Sequence, residues 1–162
     1  MLSVRAQLAN KIPEKGKTVW RIYGLLQSLA VLLVAIGGGV LTYFLEGPKW
    51  IYAIIVIVWI VLFVLWVIVF PNIRHKIWRY EVREKEIEIQ SGLFIVQNTL
   101  IPMVRVQHVD TAQGPILKRY NLADITISSA ATQHTIPFLL VDEADALRAK
   151  ISELARVAEE DV

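Results

Sequence analysis

The stretch that decides the fold runs from Ile22 to Ile73: IYGLLQSLAVLLVAIGGGVLTYFL, then EGPK, then WIYAIIVIVWIVLFVLWVIVFPNI. No Asp, Glu, Lys, Arg or His occurs from Ile22 through Leu45, nor from Trp50 through Ile73. About 20 predominantly apolar residues suffice to cross the hydrocarbon of a bilayer. Lipid offers the backbone no hydrogen bonds, so each stretch is expected as a helix. Glu46-Gly47-Pro48-Lys49 is a short polar turn, and the two helices read as a transmembrane hairpin. A single apolar run could instead be a buried core helix. A signal peptide has an apolar core of only about 7–15 residues. Two adjacent long runs with charged flanks fit a pair of spans better.

The flanks give an orientation. Arg5, Lys11, Lys15, Lys17 and Arg21 precede the first run, Arg74, Lys76 and Arg79 follow the second, and the turn holds only Lys49. Lys and Arg concentrate on the cytoplasmic side of short loops. The expectation is therefore a basic cytoplasmic segment over 1–21, a hairpin over 22–73 turning at 46–49, and a cytoplasmic domain over 74–162. On this reading the chain is a multi-pass protein of the bacterial cell (inner) membrane with both termini in the cytoplasm. Trp20, Tyr23, Tyr43, Trp50 and Tyr52 fall near the predicted interfaces, where amphipathic rings are favoured.

The first run carries Gly24, Gln27, Ser28, Ala35, Gly38 and Gly39 within or beside one helical face. Small residues let helices approach closely in lipid. That face serves packing inside the hairpin or a second membrane protein; the sequence leaves both open. Neither run contains an ionisable residue, which argues against a transporter or channel.

The chain has 162 residues, is 55% hydrophobic and carries a formal net charge of +2. The apolar excess lies between Trp20 and Phe70, and the remainder has the composition of a soluble domain. Before Pro71 there are 6 Lys+Arg against 2 Asp+Glu, and from Pro71 onward 11 against 13. The soluble part is slightly acidic, which weighs against nucleic acid as a partner. Cysteine is absent, removing disulfides, thiolate metal sites and a cysteine nucleophile.

Pro71-Asn72 is expected to end the second helix. Period-2 alternation follows. Trp78, Tyr80 and Val82 alternate with charged neighbours. Arg83 to Glu86 is a turn, Ile87 to Gln90 a strand closed by Ser91-Gly92, and Ile95 to Ile101 a strand ended by Pro102. Val104 to Val109 reads as a further strand whose apolar phase slips at Gln107-His108, the mark of a bulge or of a change of facing partner. Gly114-Pro115 breaks the sheet and opens a helical turn to Tyr120, and Asn121 suits a left-handed exit. Ala123, Ile125 and Ile127 mark another strand. Thr135 to Leu139 is a last one, and Pro137 assigns it to an edge. Asp142 is the expected N-cap of a final helix, with Ala144, Leu147, Ile151, Leu154 and Ala158 on one apolar stripe.

The run Ile101 to Asp110 (IPMVRVQHVD), the run Gln113 to Arg119 (QGPILKR) and Leu122-Ala123 resemble the YdbS-type bacterial membrane proteins of the bacterial PH domain family. Tyr80-Glu81-Val82, Ile87 to Phe94 and Glu143 to Arg148 fit the same family, and the resemblance spans Trp20 to Ile151. It implies a membrane protein in which a two-helix hairpin precedes a mainly-β, PH-like split barrel capped by a C-terminal amphipathic helix. It implies no enzymatic chemistry and no cofactor. It implies a partner that is a related, larger multi-domain PH-like membrane protein, or self-association. Two positions depart from the family pattern: Asn121 stands where Gly is common, and Ser128-Ser129-Ala130 replaces a Thr-Ala-Gly ending.

Arg105, His108 and Asp110 are the most polar group on one predicted strand, and a structural role suits them better than a metal or proton-transfer site. Arg105, between Val104 and Val106, is expected to pair with a carboxylate or cap carbonyls. Three His without Cys make a zinc site a poor reading. Arg74, Lys76, Arg79, Lys118 and Arg119 are the candidates for contact with anionic lipid headgroups or a partner, each cation near such a surface contributing about 1 kcal/mol. The leading expectation is a non-catalytic interaction and assembly module held at the membrane; the alternative is a headgroup binder.

Overall fold

A computed structural model describes residues 8–130 and 132–160. In chain order the elements are β1 (Asn10–Lys11), α1 (Glu14–Phe44), α2 (Trp50–Val64), a π-helical segment (Leu65–Val69), α3 (Phe70–Ile77), β2 (Arg79–Val82), β3 (Glu86–Gly92), β4 (Val96–Pro102), a 3₁₀ turn (Met103–Arg105), β5 (Val106–Ala112), α4 (Pro115–Tyr120), β6 (Leu122–Ser129), β7 (Gln133–Leu140) and α5 (Val141–Glu160). The chain divides into two compact units. One comprises Lys17–Ile73, and the other joins the residues up to Gly16 with those from Arg74 onward. Of the basic flank, Arg5 lies outside the described residues.

The first unit is the hairpin. Two helices, Glu14–Phe44 and Trp50–Ile77, are long and apolar enough to span a bilayer. Only 11% of the apolar window of the first is buried and none of the second, so neither has the surroundings of a soluble core helix. At the turn, Glu46 takes a positive φ of 51° and Gly47 N–H bonds the Thr42 carbonyl at 2.9 Å. Pro71 does not end the second helix, contrary to expectation: helical backbone continues to Ile77. The π-helical segment just before it supplies the reason. A proline inside an α-helix clashes with the preceding turn and removes one donor. The wider turn shifts the bonding frame first, with Phe70 N–H reaching Leu65.

The second unit is two antiparallel sheets and a helix. One sheet has the order β1-β2-β3-β4 and the other β5-β6-β7. Alternation places Ile87, Ile89 and Ile101 from the first sheet, and Ile125, Ile127 and Ile136 from the second, in one core. Ala144 and Ile151 of α5 are fully buried against it, and Leu147, Leu154 and Ala158 are partly so. The predicted helix stripe is thus the lid of the split barrel. Its first residue is Val141, so Asp142 stands in the first turn rather than at the cap.

Three local outcomes refine the reading of the sequence. The predicted strand over Val104 to Val109 begins only at Val106. Pro102 leaves the ladder in extended backbone, Met103 is fully buried, and its N–H bonds the Lys85 carbonyl at 2.9 Å. The chain turns a corner there, and Arg105 lies on the turn, outside any strand. The bulge is real: the β5–β6 register shifts between Val106 and His108. Asn121 adopts φ 56°, ψ 43° and closes α4, as its tolerance of that region allows.

Candidate functional site

The helix–helix face of the hairpin is built from small residues. A β-carbon on Gly24 would collide with the Trp66 carbonyl. That carbonyl has an unusual setting. Its α-helical donor, Phe70 N–H, bonds Leu65, and the next residue, Pro71, has no N–H to offer. Close approach of the glycine backbone covers it. Ser28 is buried; its hydroxyl donates to the Leu25 carbonyl at 2.9 Å, and its own carbonyl accepts the Trp59 indole N–H at 3.1 Å. Gly39 faces the Tyr52 ring, Gly38 approaches Ile55, and Ala35 lines an apolar hollow of about 230 Å³ with Tyr52, Ile55 and Trp59. Gln27 is the exception: it is exposed. Sequence reasoning missed Trp59, whose indole reads as one more apolar ring until its partner helix is known.

The three polar residues near the barrel corner do not converge on a reacting centre. His108 and Asp110 are exposed on β5, opposite Ser128 and Thr126. Arg105 is exposed on the preceding turn and makes no ion pair among the described residues, against the expectation of a carboxylate partner. It instead lines an open groove of about 470 Å³ with Leu100, Val104, Ser129, Thr132 and His134. This groove joins Arg105 to His134, a residue with no visible partner in the sequence. Arg105 directly precedes β5, one edge of the second sheet, and His134 lies on β7, its other edge, while β4 is an edge of the first sheet. Leu100 and Val104 are large apolar side chains exposed near that corner, both at 54%, and Val96, at 48%, is exposed at the other end of β4.

The cationic candidates fall into two groups. Arg74 and Lys76 are exposed in the last turn of α3, and Arg79 opens β2. Lys118 and Arg119 are exposed on α4, which borders β6 of the other sheet. His75 lies between the first pair, with its Nε2 buried and unpartnered among the described residues. The ion pairs among the described residues centre on Arg83, which reaches Glu86 at 3.0 Å and Glu81 at 3.1 Å and holds the exposed β2–β3 turn. The Glu81 hydrogen bond, with help from Glu86, keeps the Arg83 guanidinium pKa above its usual value. No cluster of three metal-ligating side chains occurs among the described residues.

Two apolar spans, two antiparallel sheets with one short strand ahead of the spans and six after them among the described residues, and a closing helix define a membrane protein with a PH-like domain. The Bacterial PH domain family model matches residues 24–155, and the chain belongs to that family. It is 50% identical over 159 residues to UPF0699 transmembrane protein YdbS of Bacillus subtilis (strain 168), a match covering 98% of this chain and 100% of that protein. No solved structure matches the chain.

Proposed function

We propose that this protein is a non-catalytic interaction module that assembles, through its PH-like domain, with a second copy or with a related, larger PH-domain membrane protein. The observation that carries the reading is the open edge of β4 with Val96, Leu100 and Val104 exposed beside it. An unpaired strand edge is a template for another chain, and natural proteins usually blunt such edges with charge or cover. Here the edge strand, Val96-Gln97-Asn98-Thr99-Leu100-Ile101-Pro102, carries no charge. The hairpin confines the domain to two dimensions, which raises its effective concentration and makes weak contacts productive. Gln27 supports the reading from inside the spans, because an exposed amide on a lipid-facing helix gains from a hydrogen-bonding neighbour. The proposal includes the cytoplasmic placement of both termini, supported by the basic flanks.

The test uses full-length protein. Tagged and untagged copies are co-expressed and extracted in mild detergent, and the retained second copy, or retained second PH-domain membrane protein, is quantified. Leu100→Lys with Val104→Lys is expected to lower retention about tenfold, equivalent to ~1.4 kcal/mol, without lowering the melting temperature. A strictly monomeric wild-type particle with nothing retained overturns the reading.

A further inference from the structure

The strand register gives the first sheet two chemically different ends. β1 pairs through Lys11 with Arg79 and continues into α1; β2 starts at Arg79, directly after α3. β3 runs back toward that end, pairing Gln90 with Arg79, and extends beyond it through Ser91 and Gly92 to the β3–β4 turn. The two connections to the apolar spans and the β3–β4 turn therefore share one end of the sheet. The opposite end is the β2–β3 turn, where Arg83, Glu84 and Lys85 are exposed.

Among the described residues of the second unit, the β3–β4 turn carries the two most exposed large apolar side chains, Phe94 at 80% and Ile95 at 75%. Its shape is fixed. Gly92 has φ +146°, and a β-carbon there would strike the Ile95 carbonyl, so only glycine makes this turn without strain. Phe and Ile exposed together on one turn form an apolar patch, and such patches mark contact with lipid or protein. Position and charge choose between these. The turn stands at the sheet end from which the chain enters both spans, and Arg74, Lys76 and Arg79 flank the same end. An apolar tip at the sheet end whose chain connection carries cations suits the boundary between acyl chains and anionic headgroups.

We propose that Leu93-Phe94-Ile95 inserts into the headgroup region of the bilayer that the hairpin crosses, giving the PH-like domain a third membrane attachment. A third contact fixes which face of the barrel, and hence which sheet edge, is presented along the membrane.

The chain has no cysteine, so single nitroxide labels can be placed cleanly on full-length protein. Ile95→Cys, Phe94→Cys, Glu84→Cys and Ile57→Cys are reconstituted in phosphatidylethanolamine–phosphatidylglycerol vesicles. Collision with oxygen, which prefers lipid, is compared with collision with a nickel chelate, which prefers water. The two turn labels are expected to show oxygen-to-nickel ratios several-fold above that of Glu84→Cys and below that of Ile57→Cys. Ratios equal to that of Glu84→Cys, with Ile57→Cys in lipid, overturn the proposal and leave the hairpin intact. Loss of both collisions at the turn shows a protein cover and overturns it equally. An aqueous Ile57→Cys overturns the proposal together with the membrane reading it rests on.

Discussion

Asp124 shows how one side chain repairs a sheet. The β6–β7 register shifts between Ala123 and Ile125, and Phe138 opposite takes φ +60°, a region that side chains with a β-carbon rarely occupy. The Phe138 N–H would be stranded at this bulge, but it donates to Asp124 Oδ1 at 2.8 Å. Burial pushes the Asp124 carboxyl pKa up, and the Phe138 N–H pulls it only part of the way back. A carboxyl with a raised folded pKa binds more protons folded than unfolded, so this group's contribution to stability falls as pH rises through the window just above the ordinary Asp value of about 3.9. Asp124→Asn keeps an acceptor and removes the charge. Melting curves of the full-length protein should place it above wild type at pH 7, with the gain vanishing below about pH 4. Asp124→Ala should fall about 1–3 kcal/mol below Asp124→Asn, the cost of leaving a buried donor unpaired. An Asn variant less stable than wild type at pH 7 would mean that the charge itself holds the bulge.

Among the elements, β1 carries the least obvious information. Two residues ahead of the first span, Asn10 and Lys11, add a strand to a sheet whose other members begin at residue 79. Leu8 and Ile12 beside them are buried, at 4% and 2% exposure. Nothing in Asn10-Lys11 marks a strand, since a two-residue stretch has no periodicity to read and its partner is far along the chain. The longer elements were legible for the opposite reason. Ile87 and Ile89, or Ala144, Leu147 and Ile151, repeat at the spacing of their own element, so the buried face is written locally. The groove joining Arg105 to His134 was not legible, because it depends on where Met103 turns the chain between sheets. The structural weight of β1 can be measured. Ile12→Ala should cost about 2–5 kcal/mol, and the amides of Arg79–Val82 should exchange at least about thirtyfold faster in full-length protein, the factor corresponding to ~2 kcal/mol. Exchange that accelerates only within α1 would show that the N-terminal stretch belongs to the hairpin alone.

For the whole molecule, the pairing of Lys11 with Arg79 acts as a parity rule. Neighbouring strands of one sheet must lie on one side of a bilayer, so the chain between them crosses an even number of times. Two spans satisfy this; one span with the other lying on the surface does not. The parity argument is independent of charge, whereas the choice of side comes from the basic flanks. The two arguments can be tested together and fail separately. Glu46→Cys in the connecting turn should react with a membrane-impermeant maleimide on intact cells, while Glu84→Cys and Lys118→Cys should react only after lysis. Labelling of Glu84 and Lys118 from outside, with Glu46 protected, would keep the hairpin and reverse the orientation, moving the β4 edge to the exterior and with it the compartment of any partner. Labelling of all three from one side would overturn the two-span hairpin, since no crossing at all also satisfies the parity rule. In that case the β1–β2 pairing would survive with the two apolar helices lying along the membrane rather than through it.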